Sequence, residues 1–329
     1  MSVRKLIILG IMFFCTHAVA DFRTEFSYDI GTFDDDNDLE FLNHTVGGTL
    51  FITPVSSSDV PYAVAGFLSK SSSISASYSF IDYDSDELAE NEVSGYTIDV
   101  RWVTRDDLIL GGSFAVLTDE YSLNDGNFSS EVETQNFSLK AGTYLEKGVS
   151  LETIIGRSNT EYSFSSTFTD PDLEGGSFSV TDIGSGGLLS GLIDPDIGSG
   201  GLLSGLIDPD TSSEAGFNYV DFSVNVAMPV NTGGYTHASL NVIKTFSEDF
   251  VGFIDVGFNA TYYFSKSLGL LYEIGYQEYD ESSIDFIRYS IGIEKFLGEN
   301  FASFFKIGYV DVSGLVDAIP IQFGLKARI

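Results

Sequence analysis

The chain has 329 residues, with 48 Asp+Glu against 16 Lys+Arg and a formal net charge of −32. That balance disfavours a nucleic-acid partner, whose phosphates need a clustered basic surface. It is not an acidic disordered chain either, because 43% of its residues are hydrophobic, 28 Phe and 17 Tyr among them.

In chain order, the first segment reads as a secretory leader. In "MSVRKLIILGIMFFCTHAVA", Arg4 and Lys5 precede an apolar run from Leu6 to Phe14, and Ala18-Val19-Ala20 is a small-residue cleavage site. The run is shorter than the roughly 20 residues a membrane-spanning helix needs. Cleavage after Ala20 leaves residues 21–329, with net charge −34 once Arg4 and Lys5 are gone (−32 − 2). Cys15 is the chain's one cysteine, so the mature protein is expected to have neither disulfides nor thiol chemistry.

After Ala20 the recurring signal is period-2 alternation, the mark of a strand with two unlike faces. In "DFRTEFSYDIG", Phe22, Phe26, Tyr28 and Ile30 alternate with polar residues; in "GYTIDVRWV", Tyr96, Ile98, Val100 and Trp102 do so. In "FIDVGFNATYYF" the apolar set is Ile254, Val256, Phe258, Ala260, Tyr262 and Phe264, and at the end it is Ile321, Phe323, Leu325, Ala327 and Ile329. Such segments predict fourteen strands, near 21–31, 43–53, 72–82, 95–104, 108–118, 134–144, 149–160, 217–228, 235–246, 251–264, 268–279, 284–296, 301–312 and 319–329. The pattern is least regular around 54–71, and 12 to 16 strands remain compatible with it. Spacing and count fit an all-β, antiparallel, up-and-down transmembrane β-barrel, in which an even strand number returns both termini to one side.

The connections alternate in length. Those at 32–42, 83–94, 119–133 and 161–216 are long, and those at 105–107, 145–148, 229–234, 265–267 and 297–300 are short. Charge follows length: the stretches 31–42, 82–95, 118–133 and 161–216 hold 26 acidic residues and no Lys or Arg. Arg105, Lys147 and Lys266 sit in or beside short turns. Long acidic outer loops and short inner turns are the expected asymmetry of an outer-membrane barrel.

A charge facing lipid at mid-depth costs roughly 2–4 kcal/mol, so the apolar set faces hydrocarbon and the polar set faces inward. The predicted pore-lining residues are Arg23, Glu25, Asp29, Asp99, Arg101, Lys140, Glu152, Asp221, Asp255, Glu273, Arg288, Glu294, Lys306, Lys326 and Arg328, seven positive and eight negative. Fourteen strands exceed the roughly 8 whose interior side chains alone can fill. A water-filled bore accommodates these charges; a closed apolar core does not.

The stretches "GGTLFITPV" (47–55) and "PYAVAGFLSKSSSISASYSF" (61–80), with the leader and the strand-turn pattern, resemble the general porin family of Gram-negative outer-membrane β-barrels. The resemblance implies passive diffusion of small hydrophilic solutes, no cofactor, no catalytic residues and, often, a homotrimer. Members usually end on an aromatic residue; this chain ends on Ile329, with Phe323 the nearest aromatic in register, a departure that bears on assembly efficiency rather than fold.

Within 161–216, residues 182–195 repeat without change as 196–209. One reading is a duplication tolerated in an exposed loop. Another starts from Leu188, Leu189, Leu192 and Ile193 and their copies Leu202, Leu203, Leu206 and Ile207, apolar enough to tuck into the pore mouth or cap a neighbour. Calcium at the three Asp-Pro-Asp triplets lacks a recognised loop spacing, so no metal site is predicted.

Enzymatic alternatives find little to stand on. His44 shares an apolar face with Leu42 and Val46 and reads as an interfacial residue; its catalytic alternative pairs it with the acidic run Asp34, Asp35, Asp36 and Asp38. His237 lies near a short turn with no evident Ser or Asp partner. No G-x-S-x-G, H-E-x-x-H or P-loop motif is present. The expectation is a mildly cation-selective porin-like channel whose outer partners are lipid and lipopolysaccharide, with divalent cations bridging acidic loops to phosphates. The alternative is a non-conducting structural or adhesive barrel plugged by the 161–216 loop.

Overall fold

In the computed structural model the alternating segments pair into one closed antiparallel barrel. The structure describes residues 21–329 except 35–39, 58–59, 85–88, 124–127, 147, 167–213, 231–233, 247–251, 281–284 and 313–315. The leader and the duplicated segment lie outside the described residues.

The strands are β1 (Asp21–Asp34), β2 (Glu40–Ser56), β3 (Ser73–Asp84), β4 (Ala89–Val103), β5 (Leu108–Leu123), β6 (Phe128–Glu146) and β7 (Val149–Ser166). They continue with β8 (Glu214–Pro229), β9 (Tyr235–Phe246), β10 (Phe253–Ser265), β11 (Leu268–Tyr279), β12 (Asp285–Phe296), β13 (Phe301–Val312), β14 (Val316–Ala318) and β15 (Ile321–Arg328). From β1 to β13 each pairs with its chain neighbour, β14 and β15 both pair with β13, and β15 pairs with β1 to close the seam, Glu25 standing opposite Arg328. β14 and β15 are two parts of one wall strand. Both follow β13 in a single register, Val310 opposite Ala318 and Ile307 opposite Ile321, and the break falls at Pro320, which has no N–H to give the ladder. Fourteen strands therefore form the wall, as the alternation predicts.

Four hairpins are longer than the alternation indicates. β6 runs from Phe128 rather than 134, β7 reaches Ser166 rather than 160, and the two stay paired to Phe128 opposite Ser166. Roughly 9–11 tilted residues cross a bilayer, so these 19- and 18-residue strands project well beyond it. Above the lipid a ladder needs no apolar face, and Glu131, Glu133 and Glu161 remain in register there without any hydrophobic alternation to betray them. The acidic connections at 32–42, 83–94 and 119–133 are thus in large part extended hairpins.

Exposure separates the two faces. Phe26, Ile74, Ile98, Val100, Trp102, Phe114, Leu139, Phe222, Ile274, Ile291 and Phe305 are all exposed large hydrophobics, alternating along their strands with buried or half-buried polar residues. An apolar band with its side chains outward suits hydrocarbon, not water. Ile98→Arg, in the middle of β4 on this band, is expected to destabilise the folded barrel by about 2–4 kcal/mol, read from urea unfolding in lipid vesicles. On the same face His44 is buried, stacked 4.6 Å from Phe80 and hydrogen-bonded through Nδ1 to the Tyr28 hydroxyl at 2.9 Å.

Candidate functional site

The inner face carries the charged residues as a set of ion pairs laid along the wall. Arg288 on β12 reaches over β11 to Asp255 on β10 and holds it bidentately, Nη1 to Oδ2 at 2.8 Å and Nη2 to Oδ1 at 3.1 Å. Lys306 on β13 reaches over β12 to Glu273 on β11 at 3.1 Å, where Ser290 also donates its hydroxyl. Lys326 on β15 meets Glu294 at 3.4 Å, and Lys140 on β6 meets Asp99 on β4 at 3.5 Å. Arg101 on β4 reaches Glu152 on β7 at 2.8 Å, and Ser150 donates to the same carboxylate oxygen at 3.1 Å. At the seam Arg328 holds Glu25 at 2.6 Å.

Glycines on the intervening strands make room for these long reaches. Gly275, opposite Arg288, has no side chain to lift the guanidinium off the wall; a Cβ there would stand 2.6 Å from Arg288 Cζ. Gly292, opposite Lys306, does the same, a Cβ falling 2.6 Å from Lys306 Cγ.

Six of the seven predicted inner cations are thus each committed to a carboxylate. Arg23 is the exception and a correction. The β1–β2 register shifts between Phe22 and Thr24, and the N–H groups of Arg23 and Thr24 both donate to the Ile329 carbonyl. This bulge leaves Arg23 exposed and turns Phe22, assigned by strict alternation to the lipid face, into the interior at 3% exposure. Of the eight carboxylates, Asp29 and Asp221 have no ion pair among the described residues, and each has a buried Oδ1 without a hydrogen-bond donor. The inner wall therefore carries a surplus of acid. Nearer the outer end it becomes aromatic: Phe217, Phe253 and Tyr279 pack together with Tyr162, Tyr219 and Ile243.

The feature that strand alternation does not reveal lies at the end with the short turns. The β2–β3 connection does not skirt the rim but folds into the bore as a 3₁₀ turn, Tyr62–Val64, running into a single helical turn, Ala65–Leu68. Val64 and Leu68 pack on Ala227 and Tyr263, with Val60, Ala63, Phe67 and Tyr235 around them. On another side Ala65 packs with Phe22 and Val55. The Phe67 ring lies 5.5 Å from Tyr144 and 5.6 Å from His237, and the Tyr62 ring lies 5.4 Å from Phe296.

Polar bonds tie the same segment to the wall. The Tyr144 hydroxyl donates to the Phe67 carbonyl at 3.0 Å, the Tyr62 N–H donates to the Lys266 carbonyl at 3.0 Å, and Arg328 Nη1 donates to the Tyr62 carbonyl at 2.6 Å. Lys70 pairs with Asp107 at 2.8 Å, both holding left-handed backbone (φ 51° and 63°), a conformation that costs an L residue of order 1–2 kcal/mol. A segment that touches β1, β2, β6, β8, β9, β10, β12 and β15 lies across the lumen, and for that position we call it the stopper.

The sequence does hold a trace of it. "VPYAVAGFL" (60–68) is a charge-free apolar run in a connection of about sixteen residues, at an end where the other connections are short.

No protein-family model matches the chain, and no curated protein matches it. Solved structures do. The CymD monoaromatic hydrocarbon channel aligns with TM-score 0.52 at 6% identity, over 93% of this chain and 88% of that one. CdiB from Acinetobacter baumannii aligns with TM-score 0.52 at 8% identity, over 93% of this chain and 60% of that one. The Acinetobacter baumannii outer membrane protein Omp33 aligns with TM-score 0.49 at 13% identity, over 94% and 99%. At such identities the likeness is one of fold: the chain is built as outer-membrane β-barrels are.

Proposed function

We propose that the protein is a channel of the bacterial outer membrane, a porin-like barrel that passes small hydrophilic solutes by diffusion with a mild preference for cations. The observation that carries this reading is the charge arrangement of the inner wall. Its paired cations are unavailable to passing anions, whereas Asp29 and Asp221 remain to attract positive charge. Acidic hairpins at the outer mouth act in the same direction by raising the local cation concentration.

The test is the reversal potential in a planar bilayer under a salt gradient. The native barrel is expected to reverse on the cation side, more strongly at low salt, because the screening length falls to about 3 Å at 1 M. Asp29→Asn with Asp221→Asn should bring the reversal potential closer to zero without altering the paired residues. An anion preference at low salt would sink the selectivity argument.

The competing reading, a barrel that does not conduct, draws its support from the stopper. The 161–216 connection, the plug in the alternative drawn from the sequence, lies from 167 to 213 outside the described residues.

A further inference from the structure

Arg328, the penultimate residue, makes more specific contacts than any packing role requires. Its side chain is 4% exposed. Nε donates to Glu25 Oε2 at 2.6 Å, and Nη1 donates to the Tyr62 carbonyl at 2.6 Å. The guanidinium lies 4.4 Å from the Phe22 ring and 4.9 Å from the Phe296 ring. Its backbone is fixed as well: its N–H donates to the Asn300 carbonyl at 2.8 Å, and its own carbonyl accepts from Asn300 Nδ2 at 3.0 Å.

These partners belong to separate parts of the chain. Glu25 and Phe22 are on the first strand, Phe296 ends β12, and Tyr62 begins the helical part of the stopper. Until β15 pairs with β1, Glu25 and Phe22 are not beside Arg328, and its guanidinium has the Phe296 ring on one side but lacks the Glu25 carboxylate and the second ring. Only after closure is it pinned in one orientation with Nη1 aimed into the lumen. A charge-assisted bond is roughly twice as strong as a neutral one. Tyr62 is also held through the preceding peptide, its N–H donating to the Lys266 carbonyl.

We infer that Arg328 is the latch that seats the stopper, and that it becomes competent only when the barrel seam has closed. The stopper then docks last in assembly, and its release is a local event that leaves the strand ladder intact. In this role Arg328 is a positioning residue; it does no chemistry. The inference rests on the channel reading for its physiological meaning but not for its test.

The test uses Ala63→Cys on a Cys15→Ser background, which makes the stopper the only thiol, in the purified protein in detergent or vesicles. Arg328→Met keeps an apolar stem between Phe22 and Phe296 while deleting both donors. The expected result is a several-fold faster thiol labelling at position 63, with the folded band on unheated gels unchanged. If Arg328→Met does not assemble, Arg328→Lys takes its place. A lysine keeps charge on Glu25 but lacks the planar fork that spans Glu25 and the Tyr62 carbonyl together, and it should give the same increase. An assembled variant whose labelling rate equals that of the parent overturns the latch. Labelling reports the stopper's position whether or not the barrel conducts, so failure of the latch and failure of the channel reading are separate results.

Discussion

Arg288→Ala is expected to cost the folded barrel about 3–5 kcal/mol, because it strands a buried carboxylate. Asp255 is 3% exposed in the side chain and has both oxygens bonded to that one guanidinium. The same truncation at Lys140 should cost only about 0–1 kcal/mol, since its pair is 3.5 Å long and Asp99 is 29% exposed. The measurement is denaturant unfolding in lipid vesicles, with Arg288→Met combined with Asp255→Asn as the control. Removing both charges should recover most of the loss, because the pair's net worth is far smaller than the cost of breaking it on one side. Gly275→Val should behave like Arg288→Ala by another route, its Cβ lifting the guanidinium away from Asp255. If Arg288→Ala cost less than the Lys140 variant, Asp255 would have to be hydrated, and the wall there would be wet rather than packed.

How far these pairs could be read in advance depends on what sets them. Alternation places Asp255, Glu273, Arg288 and Lys306 on one face, because a two-residue period is a local property of each strand. Which residue meets which depends on register across an intervening strand, and register is set by turns and bulges that alternation does not encode. Glycine offers a partial signal: Gly275 and Gly292 sit at inward positions beside charged neighbours, where a valine would have served a lipid-facing wall as well. The bulge at Arg23 shows the limit. Where Arg23 alone stands against residues 51–54 of β2, and the N–H groups of Arg23 and Thr24 share one carbonyl, Phe22 and Arg23 exchange faces, and it is the inward Phe22 that the seam arginine stacks on. The hairpins failed to show for the opposite reason, since β6 and β7 stay paired above the lipid where nothing enforces an apolar face.

The stopper was hidden because its packing is tertiary, and its removal should have the largest functional effect. Replacing residues 60–70 with a short Gly-Ser linker is expected to raise the steady conductance of the barrel several-fold in planar bilayers. Fourteen strands enclose more space than their own side chains fill, and the stopper is what crosses it at the turn-lined end. Burial of Val64 and Leu68 is worth about 1.5–3 kcal/mol each. That burial offsets part of the entropy lost in ordering the segment across the lumen. The native protein should therefore conduct at a low level, and the linker variant at a several-fold higher one. The strand ladder is untouched by the change, so the variant should still fold, with Tyr263 and Ala227 newly exposed at the inner mouth. Equal conductance from both proteins would mean that the stopper does not narrow the path. Silence from both would place the obstruction elsewhere, and deletion of the duplicated segment 182–209 is then the variant that separates a plugged pore from a barrel that does not conduct.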